Sequence, residues 1–498
     1  MEMFLAVPGF AVLLDGRAEG KYNRIAMGWK RVGSMQFDEL KEALREQLAT
    51  KALFEQAKAS AYSYLDGLEH SRVYPDDAAV AALEAFDEPM PEGPSDPSAI
   101  LDALHNVGSK AAVSQSGGQY FGFVNGGNFP VALAARWMAD VWDQNSALYV
   151  MSPVVSKLEE TCEKWIVDLL GLPTGTAAGF VSGSSTATLC ALAAARNELL
   201  MRRNWDVHQD GLFGAPPLRV VLGEQAHSSV IKALSLLGIG KSQLHWAPVD
   251  GEGRILSEQL PALGDGTLLI VQAGNVNGGA FDPMGALCER AKRAGAWVHV
   301  DGAFGLWAAA SEDKRKLIAG FENADSWSAD AHKTLNAPYD CGIVLCRERS
   351  KLIRAMQASG SYIQYSQSRD GMLYTPEMSR RARSVELWAT LKFLGKSGVG
   401  ALVDSLCQNA KYFADRLAAN GFTILNDVVF NQILVACKTP EETSATLREL
   451  QQSGDCWCGG ALWKGQSVIR ISVSSWRTSP KEVDACVEAF IKARQAAN

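Results

Sequence analysis

The chain has 498 residues, 47% of them hydrophobic and 21% charged, with a formal net charge of −7. That is the composition of a globular protein, and at about 100–200 residues per domain the length allows roughly two to four domains. The acidic balance and the lack of a long basic run argue against a nucleic-acid or anionic-membrane partner.

The apolar run Met3 to Leu14 carries no basic start, because Glu2 precedes it and the first basic residue is Arg17. It is therefore not read as a secretory signal, and Pro8 and Gly9 interrupt it well short of a bilayer span. Residues 1–34 read as an extension unlike the rest of the chain, with Met35 as an alternative start. Residues 35–115 read as an N-terminal helical arm. One long amphipathic helix is expected from Phe37 to about Gly67 and a second from Asp76 to Phe86. A Pro/Gly/acidic linker, Asp87 to Pro94, separates them from a short helix at 97–107.

From 116 to 390 the pattern is that of a large α/β domain. Short apolar runs (179–182, 219–222, 243–249, 268–272, 296–300, 326–329 and 343–346) alternate with helical stretches such as 152–170, 185–202, 228–237, 256–262 and 284–294, and a further helix near 380–395 leads into the last third. Continuous apolar strands between helices imply a mostly parallel central sheet covered on both faces. Residues 391–498 read as a small C-terminal α+β domain, with helices at 399–419, 440–452 and 479–495 and strands at 422–425, 431–437 and 467–474.

Ten cysteines are scattered along the chain. Most lie in apolar runs and read as small buried hydrophobes, in a reducing, cytoplasmic setting. Only Cys456-Trp457-Cys458 is close-spaced, and no second pair or histidine cluster accompanies it to suggest a metal.

The chemistry gathers around SADAHKTLNAPYDCG, residues 328–342, with Lys333 at its centre. A lysine between His332 and Thr334 is by itself most simply a surface charge. Its company is an apolar strand ending in Asp301, a Ser182-to-Thr188 turn that opens a helix, and His227 just past another strand. Together they suggest pyridoxal 5'-phosphate (PLP). That cofactor needs an amine for its aldehyde, an acid for its pyridine nitrogen, an anion cradle and a flat neighbour. Each part has a plainer reading. Asp301 could be a helix N-cap, the 182–188 turn an ordinary Ser/Thr cap, and His227 an exposed loop residue. The pattern GxxxxGK[ST], HExxH and a G-x-S-x-G elbow are all absent, which leaves P-loop, zinc protease and serine hydrolase readings unsupported.

The ordered segments GSSTATLCALAAARN, EQAHSSVIKAL, GNVNGGAFDP, HVDGAFG and SADAHK resemble the group II PLP-dependent amino acid decarboxylases over about residues 37–498. Aromatic amino acid and glutamate decarboxylases belong to that group. The resemblance implies the aspartate-aminotransferase fold, PLP-dependent transferase fold type I. It makes Lys333 the lysine that holds the cofactor aldehyde, Asp301 the pyridinium partner, Ala303 the small residue packed on the ring and His227 the stacking histidine. Ser184 and Ser185 match the phosphate turn, with His332 and Asp330 near the phosphate. Tyr362, in SYIQYS, matches the loop tyrosine that protonates the substrate Cα after CO₂ leaves. Arg470, in VIRIS, matches the arginine that meets the substrate carboxylate.

Ala331 and Thr334 flank the His-Lys pair where relatives often carry Pro and a bulky residue. Thr186 stands for a usual Glu, and Asn275 for a usual Thr. These departures remove no reacting group and mark a divergent branch. The expected activity is carboxy-lyase action on an L-amino acid, with an aromatic or other hydrophobic substrate favoured. Phe121, Phe123, Trp142 and Tyr149 are candidates for an aromatic wall or for plain core packing. Aldol cleavage of a β-hydroxy amino acid, transamination and a non-catalytic scaffold remain alternatives on the same fold. The resemblance also implies a homodimer with the arm wrapped round the partner, and neither nucleic acid nor membrane as partner.

Overall fold

The computed structural model describes residues 37–358, 360, 363 and 365–497. The expected extension at 1–34, with Met35, lies outside the described residues.

Seven strands form the central sheet among the described residues: β1 (Ala177–Val181), β2 (Arg219–Gly223), β3 (Leu244–Ala247), β4 (Thr267–Gln272), β5 (Trp297–Asp301), β6 (Ser326–Asp330) and β7 (Gly342–Cys346). Their order is β1-β7-β6-β5-β4-β2-β3. All run parallel except β7, which is antiparallel to β1 and β6. The mostly parallel α/β sheet expected from the alternation is present. Its strands are buried on both faces, so successive residues feed two cores. Val298, Val300, Trp327 and Ile343 pack into one, while Trp297, Leu268, Ile270 and Val344 pack into the other. Helix Ser184–Met201 packs into the second, with eleven of its residues buried. Its sequence is mostly apolar, and its charged residues Arg196 and Glu198 fall at half-buried positions where Glu198 pairs with Arg202 and Lys351.

Because the strands flanking β7 share one direction, β1, β2, β4, β5 and β6 all end at the same edge. The segments 182–185, 225–229, 303–304 and 331–333 leave the sheet there, the edge where α/β proteins bind ligands. A second sheet, in the order β10-β11-β9-β8, comprises β8 (Thr423–Ile424), β9 (Gln432–Ala436), β10 (Gly459–Trp463) and β11 (Gln466–Ser472). It leans over this edge and supplies its far wall.

Several elements differ from expectation. The arm's first helix is two, Phe37–Thr50 and Ala52–Gly67, parted by Lys51 in the left-handed region (φ 56). The helix expected at 256–262 is only a 3-10 turn, Ser257–Gln259. The helices expected near 380–395 and at 399–419 form one element, Ser384–Ala419, bent where Gly395 adopts φ 60 and ψ −176. Strand β10 was not expected. All ten cysteines are buried and unpaired. No helix among the described residues is long and apolar enough to cross a membrane.

Candidate active site

The segments leaving the sheet edge surround a cavity of about 730 Å³. Ser184, Ser185, His227, Asp301, Ala303, Asp330, His332, Lys333 and Arg470 all line it. Tyr362, the remaining candidate from the sequence, lies outside the described residues.

Lys333 stands three residues past β6, with its Nζ 3.0 Å from Asp330 Oδ2. The other carboxylate oxygen of Asp330 accepts the Ser184 N–H at 2.5 Å, at the first residue of helix Ser184–Met201. Asp330 thus joins the lysine loop to the helix start, and it is 1% exposed. The helix N-cap is Gly183, which makes no side-chain capping bond. The plain Ser/Thr cap reading of the turn therefore does not describe it, and Ser182 Oγ pairs instead with Thr186 Oγ1 at 3.1 Å. His332 accepts the Cys341 N–H on Nδ1 at 3.1 Å, which leaves the proton on Nε2. Its ring stacks on Tyr339 with centroids 4.2 Å apart. Burial lowers the His332 pKa, with Asp330 pulling the other way.

Asp301 ends β5, buried, and its Oδ1 accepts the Ala303 N–H at 3.3 Å. It does not cap the adjoining 3-10 helix Gly305–Ala310, whose N-cap is Phe304. Burial raises the Asp301 carboxyl, while the nearby His227 and Lys333 favour its charged form. His227 caps helix Ser228–Leu236, accepting the Ser229 N–H on Nδ1 at 3.2 Å. That bond leaves Nε2 as the protonated nitrogen. Desolvation lowers the His227 pKa, and Asp301 partly restores it.

Arg470 projects from β11 and donates to the Val276 carbonyl at 3.2 Å. Its Nε is buried without a hydrogen-bond partner, and no carboxylate pairs with it among the described residues. Burial lowers its pKa. A desolvated guanidinium left without an anion is poised to receive one.

Of the four candidate aromatics, only Phe123 lines the cavity. Phe121 is fully buried against Phe413 in the C-terminal core, and Trp142 and Tyr149 lie elsewhere, 40% and 39% exposed. Val276, Phe304, Leu462 and Trp463 supply the apolar wall. Sequence reasoning missed Asn336, which adopts φ 57 in the lysine loop. It also missed Gly126, where an added Cβ would lie 2.1 Å from the Lys333 carbonyl oxygen. An Asn and a Gly in loops are the residue types that tolerate such backbone, which was the available signal.

A family model described as the pyridoxal-dependent decarboxylase conserved domain matches residues 81–438. The chain belongs to the pyridoxal-dependent decarboxylase family. It is 29% identical over 341 residues to "Acidic amino acid decarboxylase GADL1" of Mus musculus, an alignment covering 66% of this chain and 60% of that protein. The chain therefore spans less than two thirds of that relative's length. It is also 29% identical over 423 residues to the aromatic-L-amino-acid decarboxylase of Bacillus atrophaeus, covering 80% of this chain and 85% of the relative. Among solved structures, mouse CSAD in apo form superposes with a TM-score of 0.82 at 22% identity, over 90% of this chain and 99% of that one. Oryza sativa TDC with PLP and tryptamine gives 0.80 at 20% identity, over 94% and 99%. These structural likenesses carry the fold, which is fold type I. The cofactor of the family is PLP.

Proposed function

We propose that the chain is a PLP-dependent carboxy-lyase that converts a hydrophobic, most simply aromatic, L-amino acid to its amine and CO₂. One observation carries the reading. A single cavity is lined by an amine, a buried carboxylate, a helix N-terminus and an arginine that lacks a carboxylate partner among the described residues.

This donor set fits PLP. Ser184 and Ser185 offer hydroxyls and the positive end of an 18-residue helix to a phosphate. His332 and Asp330 stand beside that end. Lys333 offers its amine to the aldehyde and Asp301 its carboxylate to the pyridine nitrogen. Ala303 is small enough to lie under a ring and His227 is flat enough to lie over one. When bound, PLP supplies an electron sink for breaking a bond at the substrate Cα.

The remaining work falls to the protein. Arg470 binds the substrate carboxylate and so orients Cα. Buried Trp463, with the more exposed Phe123 and Leu462, gives the bond to be broken an apolar flank, which favours loss of a charged group. His227 holds a proton on Nε2, directed away from its own capping bond. Tyr362, assigned from sequence, returns the proton to Cα. Besides Lys333 and the histidines, Arg470 is the one cation among the described lining residues. One carboxylate can be met there, and the neighbouring wall is apolar. This supports a hydrophobic substrate over a dicarboxylic one.

Screening the twenty L-amino acids for CO₂ release tests the reading. Aromatic substrates are expected to give amine and CO₂, and release from acidic substrates alone would overturn the substrate class. Lys333→Ala is expected to abolish turnover together with the visible absorbance band of lysine-held PLP. Tyr362→Phe is expected to divert product from amine to aldehyde.

The assembly is proposed to be a homodimer joined through the arm. Helices Phe37–Thr50 and Ala52–Gly67 bury no residue, and Phe37, Leu48, Phe54 and Tyr62 are each more than half exposed. Such apolar exposure marks an interaction face, and a monomer by light scattering would contradict it. Ten unpaired buried thiols support a reducing compartment such as the cytoplasm.

A further inference from the structure

The mostly apolar layer between helix Ser184–Met201 and the sheet contains a chain of hydrogen bonds. Thr188 donates its hydroxyl to Ser328 Oγ on β6 at 3.0 Å. Ser328 Oγ lies 3.4 Å from His299 Nε2 on β5, and His299 Nδ1 lies 3.0 Å from Ser326 Oγ. Ser326 Oγ in turn accepts the Trp297 indole N–H at 3.0 Å. None of these five side chains is more than 1% exposed. A buried polar chain adds little stability over well-packed apolar residues of the same shape. What it adds is directionality, because hydrogen bonds weaken steeply with misalignment whereas apolar contacts slide.

The geometry makes that directionality useful. Ser184 and Thr188 are one helical turn apart, about 6 Å along the axis. Their partners Asp330 and Ser328 are two residues apart on β6, about 6.6 Å. The helix start is thus pinned at two rungs of nearly equal spacing: the Ser184 N–H on Asp330, and Thr188 on Ser328. His299 and Ser326 hold Ser328 from behind. The same strand sets the facing loop, since the Ser328 carbonyl accepts the Gly302 N–H at 3.0 Å and the Asp330 N–H donates to the Ala303 carbonyl at 2.8 Å.

We propose that the Thr188–Ser328–His299–Ser326 chain is a positioning device that fixes helix Ser184–Met201 along β6 and holds its N-terminus at the distance from Lys333 and Asp301 that the cofactor phosphate requires. The proposal rests on reading Ser184 and Ser185 as the phosphate turn. Thr188 and Ser328 are positioning residues; neither lines the cavity.

Two ligands separate this role from a merely structural one: PLP, and pyridoxal, which lacks the phosphate. Dissociation constants for both are measured on the full chain after removal of cofactor, with the Tm recorded beside them. Thr188→Val keeps the shape and removes the hydroxyl, and Ser328→Ala removes its acceptor. Each variant is expected to weaken PLP by about tenfold, the effect of one net hydrogen bond, and to leave pyridoxal unchanged. Thr188→Ser is expected to restore PLP affinity. Equal loss for both ligands, or loss for neither, overturns the proposal. If wild-type protein binds pyridoxal as tightly as PLP, the phosphate reading of the turn fails instead, and the proposal falls with it.

Discussion

Asn336 shows how much of the lysine's placement depends on a residue with no chemical role. It is fully buried, and its amide donates to the Thr334 and Ser474 carbonyls at 2.8 and 2.9 Å. Its Oδ1 accepts the Gly127 and Trp476 N–H groups at 2.7 and 2.9 Å. One side chain therefore ties the lysine loop to two distant segments. Removing it takes the partner from three buried backbone groups and a fourth, half-buried one, each buried group costing about 1–3 kcal/mol if unsatisfied and unrelaxed. Asn336→Ala is expected to lower stability by at least about 2 kcal/mol in denaturant unfolding. A loss below the noise of that measurement would mean water replaces the amide. Lys333, Asp301 and His227 could be singled out in the sequence as candidates because their residue types suit the proposed chemistry. Asn336 could not, because its partners outside the lysine loop lie 138 to 209 residues away along the chain and pairing at that range leaves no local pattern.

Among the elements, helix Ser384–Ala419 holds the clearest test. It packs on both the large-domain and C-terminal cores, through residues such as Leu391 and Phe413. Gly395, at φ 60 and ψ −176, lets it bend between them. In a straight helix Gly→Ala stabilises by about 1 kcal/mol. At this backbone a Cβ is strained, costing about 1–3 kcal/mol. Gly395→Ala is therefore expected to destabilise, and the sign alone decides whether the bend exists in solution. The sequence made both halves of this helix legible by periodicity but not their fusion, because a glycine inside a helix pattern reads equally as a stop. Strand β10 was hidden for a related reason. Its sequence Gly-Gly-Ala-Leu-Trp alternates in burial, yet two glycines and an alanine give that alternation no hydrophobic contrast. The break at Lys51 has no local signal, since lysine has no preference for the left-handed region.

For the molecule as a whole, burial of titratable groups in the sheet layer sets the response to acid. His299 is buried and neutral, its pKa lowered to about 3 by desolvation. An unfolded histidine titrates near 6.5. Between those values the unfolded chain binds the extra proton, so the stability from this group is full above about pH 6.5 and drains as the pH falls toward 3. By pH 5 His299 alone removes about 2 kcal/mol. His227 and His332, also lowered by burial, act with the same sign. Asp282 opposes them. Burial raises its carboxyl to about 6, although it accepts the Ile255 and Gln272 N–H groups at 2.8 and 2.7 Å. The folded chain therefore holds that proton more tightly, and stability from Asp282 grows as the pH falls from 6 to 4, by about 1 kcal/mol at pH 5. His299 outweighs Asp282, so this pair lowers the unfolding free energy between pH 6.5 and 5, while Asp301, Asp325 and Glu386, whose carboxyls burial also raises, oppose it with the sign of Asp282. In Asp282→Asn the compensating gain is absent, and the same fall should be steeper by about 1 kcal/mol. Denaturant unfolding at the two pH values, on wild type and variant, measures the difference directly. A parallel pair of curves would mean that Asp282 is ionised throughout, held by its two backbone donors.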